Sequence, residues 1–157
     1  MQVLVVSDSH GSIASLRAAI KAAGNIDCAI HLGDYAADAH VLSEMAGLRV
    51  YAVRGNCDLS LEYRPEEIIC LEGARIFATH GHKYGVNAGT FELAQKAEES
   101  GCGVALYGHT HVSAIAAQGS LLLVNPGSPF QPRQGRKRSV AVLTIEGKDV
   151  YPKIVTF

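Results

Sequence analysis

The chain has 157 residues, 48% of them apolar, enough to bury one good core with little room for another, so residues 1–157 are expected to form a single domain. A formal charge of -1 supplies no global positive field, and Trp is absent, which argues against a nucleic-acid or anionic-membrane partner. Four cysteines (Cys28, Cys57, Cys70, Cys102) form no C-x-x-C pair, and no apolar run approaches the ~20 residues of a membrane helix, so a reduced, soluble, cytoplasmic protein is expected.

Val3 to Val6 reads as a short strand that stops at Ser7-Asp8-Ser9-His10-Gly11, and Ile13, Leu16, Ile20 and Ala23 then recur at helical spacing between a Ser12 cap and Gly24. The pattern repeats with a strand from Cys28 to Leu32 ending at Gly33-Asp34, a helix from Ala36 to Met45, and a strand from Leu48 to Val53 ending at Arg54-Gly55-Asn56. Alternation of this kind implies parallel pairing. Beyond it, Glu67 to Leu71 and Arg75 to Thr79 flank a Glu72-Gly73 turn, and Thr90 to Glu99 reads as a helix. Two more hairpins follow, Val112 to Ala117 with Leu121 to Val124, and Val140 to Ile145 with Val150 to Val155. A βαβαβ start and a meander at the end predict two packed sheets with helices outside, an α/β sandwich.

The residues able to do chemistry fall where these strands end: Asp8 and His10, Asp34, Asn56, His80, and the pair His109 and His111. Sites in α/β sheets form at the carboxyl ends of strands, where loops converge. Residues two apart in an extended segment project to one side, so Asp8 with His10, and His109 with His111, are expected to face one cluster. Carboxylates, imidazoles and an amide oxygen without thiolate suit Mn, Fe, Ni, Co or Zn, and the set is large enough for two ions if one carboxylate bridges. Each short motif alone is ordinary turn chemistry; their ordered co-occurrence is what points to metal.

In that order, D-x-H (Asp8, His10), G-D (Gly33, Asp34), G-N-x-D (Gly55, Asn56, Asp58), H (His80) and G-H-x-H (Gly108, His109, His111), followed by Asn125-Pro126-Gly127-Ser128, the chain resembles the calcineurin-like metallophosphoesterase superfamily. It is most similar to the small bacterial and archaeal phosphodiesterases related to the retromer-subunit fold. The resemblance implies a four-layer α/β/β/α sandwich and a phosphodiesterase acting on a small-molecule phosphoester through two divalent ions, Mn first, and a metal-bound hydroxide. It further implies that Asp8, His10 and His111 hold one ion, that Asn56, His80 and His109 hold the other, and that Asp34 bridges.

Cys57 stands where many members of that superfamily have a histidine, implied to protonate the leaving group. A thiol with a pKa of about 8.5 is a poorer acid than an imidazolium at neutral pH, so good leaving groups are favoured. His82 is either an alternative proton source or a solvent-facing loop histidine. Asp58 is expected to orient a histidine or the turn, and Asn125 and Ser128 to brace their loop. Arg133 is the expected contact for a substrate phosphate, and Arg136, Lys137 and Arg138 are either part of that cluster or a solvated hairpin end. The rivals are a phosphomonoesterase or nucleotidase on the same metals, and a non-catalytic interaction scaffold of the same fold. The apolar composition leaves room for a dimer interface.

Overall fold

A computed structural model describes residues 1–157. Its strands are β1 (Gln2–Val6), β2 (Cys28–His31), β3 (Arg49–Ala52), β4 (Glu66–Leu71), β5 (Ala74–Thr79), β6 (Val104–Leu106), β7 (Ala114–Gln118), β8 (Leu121–Asn125), β9 (Ser139–Glu146) and β10 (Asp149–Thr156). The helices are α1 (Ile13–Ala23), α2 (Asp38–Ala46) and α3 (Phe91–Glu99). The strands form two five-stranded sheets, ordered β10-β9-β1-β2-β3 and β4-β5-β6-β8-β7.

Alternation along β1 explains the layering. Val3 and Val5 face the space between the sheets, where they meet Ile30, Ile76, Leu106 and Leu143, while Leu4 and Val6 face outward against Leu16 and Ala19 of α1 and Leu42 of α2. All four residues are fully buried because β1 is central and both of its faces are covered. On the other side, Leu93, Ala94 and Ala97 of α3 cover Phe77, Ala105 and Leu123 of the second sheet. The expected four layers, helix, sheet, sheet, helix, are the observed ones. No helix is long and apolar enough to cross a membrane.

The helix and hairpin expectations hold with shifts at the ends. Ser12 caps α1 by accepting from the Ser15 N–H at 3.3 Å, and the Glu72-Gly73, Gly119-Ser120 and Gly147 turns each join an antiparallel pair. α2 begins at Asp38, later than the expected Ala36, because the N–H groups of Tyr35 and Ala36 are turned onto the Asp58 carboxylate. β7 begins at Ala114, two residues later than expected, since Val112 N–H is held in a local turn by the Thr110 hydroxyl at 3.2 Å.

The second half is less of a meander than expected. β5, β6 and β8 run parallel, with α3 as the crossover from β5 to β6. β6 is three residues long and escapes a periodicity argument, although it delivers the His109 loop.

Candidate metal centre

The site lies where loops after the parallel strands of both sheets meet. Asp8 N–H donates to Gly33 O at 3.1 Å, joining the loops after β1 and β2, and Gly108 N–H donates to His80 O at 3.0 Å, joining those after β5 and β6. His109 N–H donates to Asp8 Oδ2 at 3.1 Å and ties the two sheets together. Carboxylates and imidazoles distant in sequence are thereby placed on one floor.

The backbone reason differs from the expected one. Asp8, His10, Asp34, His109 and His111 all have positive φ, from 48° to 66°. They do not sit in extended segments that point alternate residues to one side. Left-handed backbone is several-fold enriched for Asp and His yet uncommon, and it persists only where neighbours hold it. Two glycines show how closely those neighbours approach. A Cβ on Gly55 would collide with the Asp34 carboxylate, and one on Gly108 with the Ser7 hydroxyl and Asp8 Oδ2.

Ligand-type atoms of Asp8, His10, Asp34 and His111 all lie within 4.8 Å of one another. His80 adjoins this group, with Nε2 3.4 Å from Asp34 Oδ1 and 3.9 Å from Asp8 Oδ1. His109 stands edge-on to His80 with ring centroids 5.2 Å apart. Asn56 and Cys57 are exposed at the rim, the Cys57 N–H donating to Asp34 Oδ1 at 2.9 Å and the Asn56 amide lying 3.5 Å from Cys57 Sγ. Six of the seven expected ligands thus converge, and Asn56 reaches the group through the backbone of its neighbour.

Three buried atoms within this group, Asp8 Oδ1, His10 Nε2 and His80 Nε2, have no hydrogen-bond partner. His111 Nε2 is 3.1 Å from Asp8 Oδ1 but outside hydrogen-bond geometry. Buried polar atoms are almost always paired, so several unpaired polar atoms gathered in one place fit a cation better than a packed core.

Backbone carbonyls set the imidazole tautomers. His80 Nδ1–H donates to Leu32 O at 2.8 Å and His111 Nδ1–H to Gln131 O at 2.6 Å, which turns both Nε2 atoms toward the carboxylates. Asn87, a residue that no motif singles out, lies 3.0 Å from His109 Nε2 and orients that ring.

Burial works to raise the Asp8 and Asp34 pKa values. The facing His111 and His80, with the Cys57 N–H on Asp34, more than offset it, and both carboxyls lie below the ordinary range. The same pairs raise His80 and His111 above the usual imidazole value against the opposing effect of burial. A cation held by these two rings would displace their protons and take none from the carboxylates. Mn²⁺ uptake is therefore expected to release protons near pH 7 and to weaken as the pH falls, with release fading as the pH rises past both raised histidine values. Titration calorimetry in two buffers of different ionisation enthalpy reads this directly, and pH-independent uptake without proton release would remove His80 and His111 from the ligand set.

Around these atoms lies a scaffold only partly visible in sequence. The Asp58 carboxylate accepts four backbone N–H groups, from Asp34 (2.9 Å) and Gly55 (2.7 Å) on Oδ2 and from Tyr35 (3.0 Å) and Ala36 (2.7 Å) on Oδ1. It orients the turn, as one of its two expected roles had it. His31, at the end of β2, is fully buried, accepts from Gly33 N–H at Nδ1 (3.2 Å) and so donates from Nε2 to Ser9 Oγ (2.7 Å). The Asn125 amide donates to Gly108 O and accepts from Gly127 N–H, both at 2.9 Å, and Ser128 Oγ donates to Asp8 O at 2.8 Å. These are the loop braces expected of them.

His82 is half-buried, 5.5 Å from His80 and 6.2 Å from His109 between ring centroids, and burial with those two rings pushes its pKa down. Arg133 is exposed and anchored by its N–H to His111 O at 3.1 Å; Arg136, Lys137 and Arg138 are exposed beyond it. The largest cavity, about 390 Å³ between Glu66, Phe77 and Lys96, contains none of the expected site residues.

Comparison with known proteins agrees with this geometry. Residues 1–148 match the calcineurin-like phosphoesterase superfamily domain. The chain is 34% identical over 148 residues to the probable metallophosphoesterase YsnB of Bacillus subtilis, covering 93% of this chain and 85% of that protein. It is 29% identical over 168 residues to the phosphodiesterase YfcE of Escherichia coli K12, covering 91% and 87%. The fold also matches wild-type Vps29 of Entamoeba histolytica, solved with zinc, at a TM-score of 0.79 and 20% identity over 99% of each chain. A metal-ligand group at converging loops, on this sandwich, along nearly the whole length of the family domain, places the chain in the calcineurin-like phosphoesterase superfamily, among small members that share their fold with Vps29.

Proposed function

We propose that this member of a metal-dependent phosphoric ester hydrolase family is a phosphodiesterase with a dinuclear centre, acting on a small-molecule phosphodiester, and that residues 1–157 work as one domain. Asp8, His10 and His111 would hold one ion and Asn56, His80 and His109 the other, with Asp34 available to both. The observation that carries this reading is the trio of buried, unpaired ligand-type atoms, Asp8 Oδ1, His10 Nε2 and His80 Nε2. Two divalent cations, Mn first among those the oxygen and nitrogen donors suit, supply an activated water and neutralise charge on the phosphoryl oxygens.

The chain's own residues narrow the reaction. In the metal-free chain burial and the adjacent Asp34 carboxylate push the Cys57 thiol up to about 11, and a thiol is in any case a weaker acid than an imidazolium toward a departing alkoxide. His82, with its lowered pKa, is largely neutral near pH 7, which favours it as a polar lining group over a proton donor. Ester arms that leave without protonation are therefore the suitable ones, and this supports a diesterase over a broad monoesterase. Arg133, exposed beside His111, offers its planar guanidinium to the substrate phosphate, and Asn56 adds an amide at the rim.

The Vps29 likeness keeps an interaction scaffold as a second reading, since at 20% identity it speaks for the fold alone. The presence of a competent ligand type at all seven expected positions favours the enzyme. The test is hydrolysis of an aryl phosphodiester beside the matching monoester, on chelated protein with Mn²⁺ added back. Metal-dependent turnover favouring the diester is expected, and Cys57→His is expected to raise rates most for poor leaving groups. Turnover that survives metal removal would end the metal mechanism, and no turnover of either ester would transfer the case to the scaffold.

A further inference from the structure

We propose that the cavity beside the metal centre is a subsite for a planar aromatic group on an ester arm of the substrate. The inference rests on the metal centre of the preceding section and names what its substrate carries. The cavity, about 280 Å³, is lined by Tyr35, Ala36, Ala37, Cys57, Leu59 and Tyr63, with Asp58, Ser60 and Glu62 at its polar margin. That volume is in the range of a single aromatic ring system and below that of most drug-sized ligand sites.

Its continuity with the site is direct. Cys57 lines the cavity while its N–H donates to Asp34 Oδ1 at 2.9 Å. Tyr35, the residue after Asp34, lines it too, with its ring 5.9 Å from the His10 ring. A phosphoryl group held at Asp34 therefore has one ester arm at the cavity mouth. The loop after β3 presents Leu59 and Leu61 to solvent at 96% and 80% exposure, and Tyr35 is half exposed. Large apolar side chains so bare beside a catalytic floor have area to gain from covering an apolar ligand.

The backbone shows the placement of Tyr35 is enforced. A bulky residue at φ 77° is a steric outlier, and here the Tyr35 and Ala36 N–H groups are held by the Asp58 carboxylate. Its ring also lies over Gly11, where a Cβ would come within 3.2 Å of it. An aromatic face is thus fixed at the cavity edge, where a planar group stacks at low entropic cost.

Tyr63 completes the wall of the cavity. The carboxylates of Glu62 and Asp58 at the margin disfavour a second anionic group, such as a polyphosphate tail.

Binding of non-hydrolysable phosphonates to the Mn²⁺-loaded protein tests this without turnover. Phenylphosphonate is expected to bind roughly tenfold more tightly than methylphosphonate, the gain expected for burying most of one ring. Leu59→Ser is expected to shrink that ratio, with inorganic phosphate as the internal control for the metals. The phosphonate analogue of adenosine monophosphate separates the sources of the ring. A nucleobase is the occupant if this analogue binds more tightly than phenylphosphonate and loses several-fold in Leu59→Ser. An aryl group of another kind is the occupant if phenylphosphonate equals or exceeds it. Equal binding of phenyl- and methylphosphonate, with inorganic phosphate still bound, would overturn the subsite and leave the metal centre standing. Loss of inorganic phosphate binding would overturn both.

Discussion

Asp34→Asn is expected to lower metal-dependent diester turnover by about 10³-fold or more, because a bridging carboxylate carries several kcal/mol of the charge stabilisation that a two-metal site supplies. The substitution isolates charge from shape. An asparagine Oδ1 still accepts the Cys57 N–H that Asp34 accepts at 2.9 Å, so the loop keeps its course. What disappears is the negative charge facing His80 Nε2 at 3.4 Å. His80 in turn loses one of the partners that raise its pKa.

The stability consequence has a definite sign. Asp34 has a depressed folded pKa, so its contribution is present above the unfolded carboxyl value, about 3.9, and is lost as the pH falls through the folded one. The metal-free variant is therefore expected to melt below the wild type at neutral pH and to converge with it in strong acid. Metal titration, turnover and paired melts at two pH values check the three parts. Wild-type turnover in Asp34→Asn would exclude a bridging carboxylate.

Asp58→Ala carries the second large effect and acts through position. One carboxylate satisfies four backbone N–H groups from two loops, and charge-assisted bonds to buried donors are the costly ones to lose. Partial exposure reduces the sum, and a loss of about 3 kcal/mol is expected, or roughly 10 °C in melting temperature for a chain of this size. Freed of Asp58, Asp34 and Tyr35 have less to hold them at φ 55° and 77°. Metal affinity is expected to fall about 10- to 100-fold in parallel, as it does when groups that orient ligands are removed. A melting temperature that falls while Mn²⁺ affinity holds would reduce Asp58 to a structural role.

Both predictions turn on residues that were legible in the sequence to different depths. Asp34 was identifiable from its place after a strand and from the order of motifs around it. Asp58 was identifiable as a neighbour of Asn56, but its four donors lie mainly 22 to 24 residues away across the β2–α2 loop, and no spacing rule reaches them. No motif includes His31 or Asn87. Their roles exist only through Ser9, Gly33 and His109, which other segments bring to them.

The amino-acid sequence by itself determined the three helices, every strand but β6, the layering, and the chemical kind of the seven expected metal ligands. These follow from hydrophobic period and residue type, which are local properties. Tertiary structure alone decided the parallel run of β5, β6 and β8, the left-handed turns at Asp8, His10, Asp34, His109 and His111, the raised Cys57 pKa, and the aromatic cavity beside it. Those depend on hydrogen bonds, burial and charges contributed by distant segments. An uncommon backbone conformation or a shifted pKa is the sum of such neighbours, and only the folded chain assembles them.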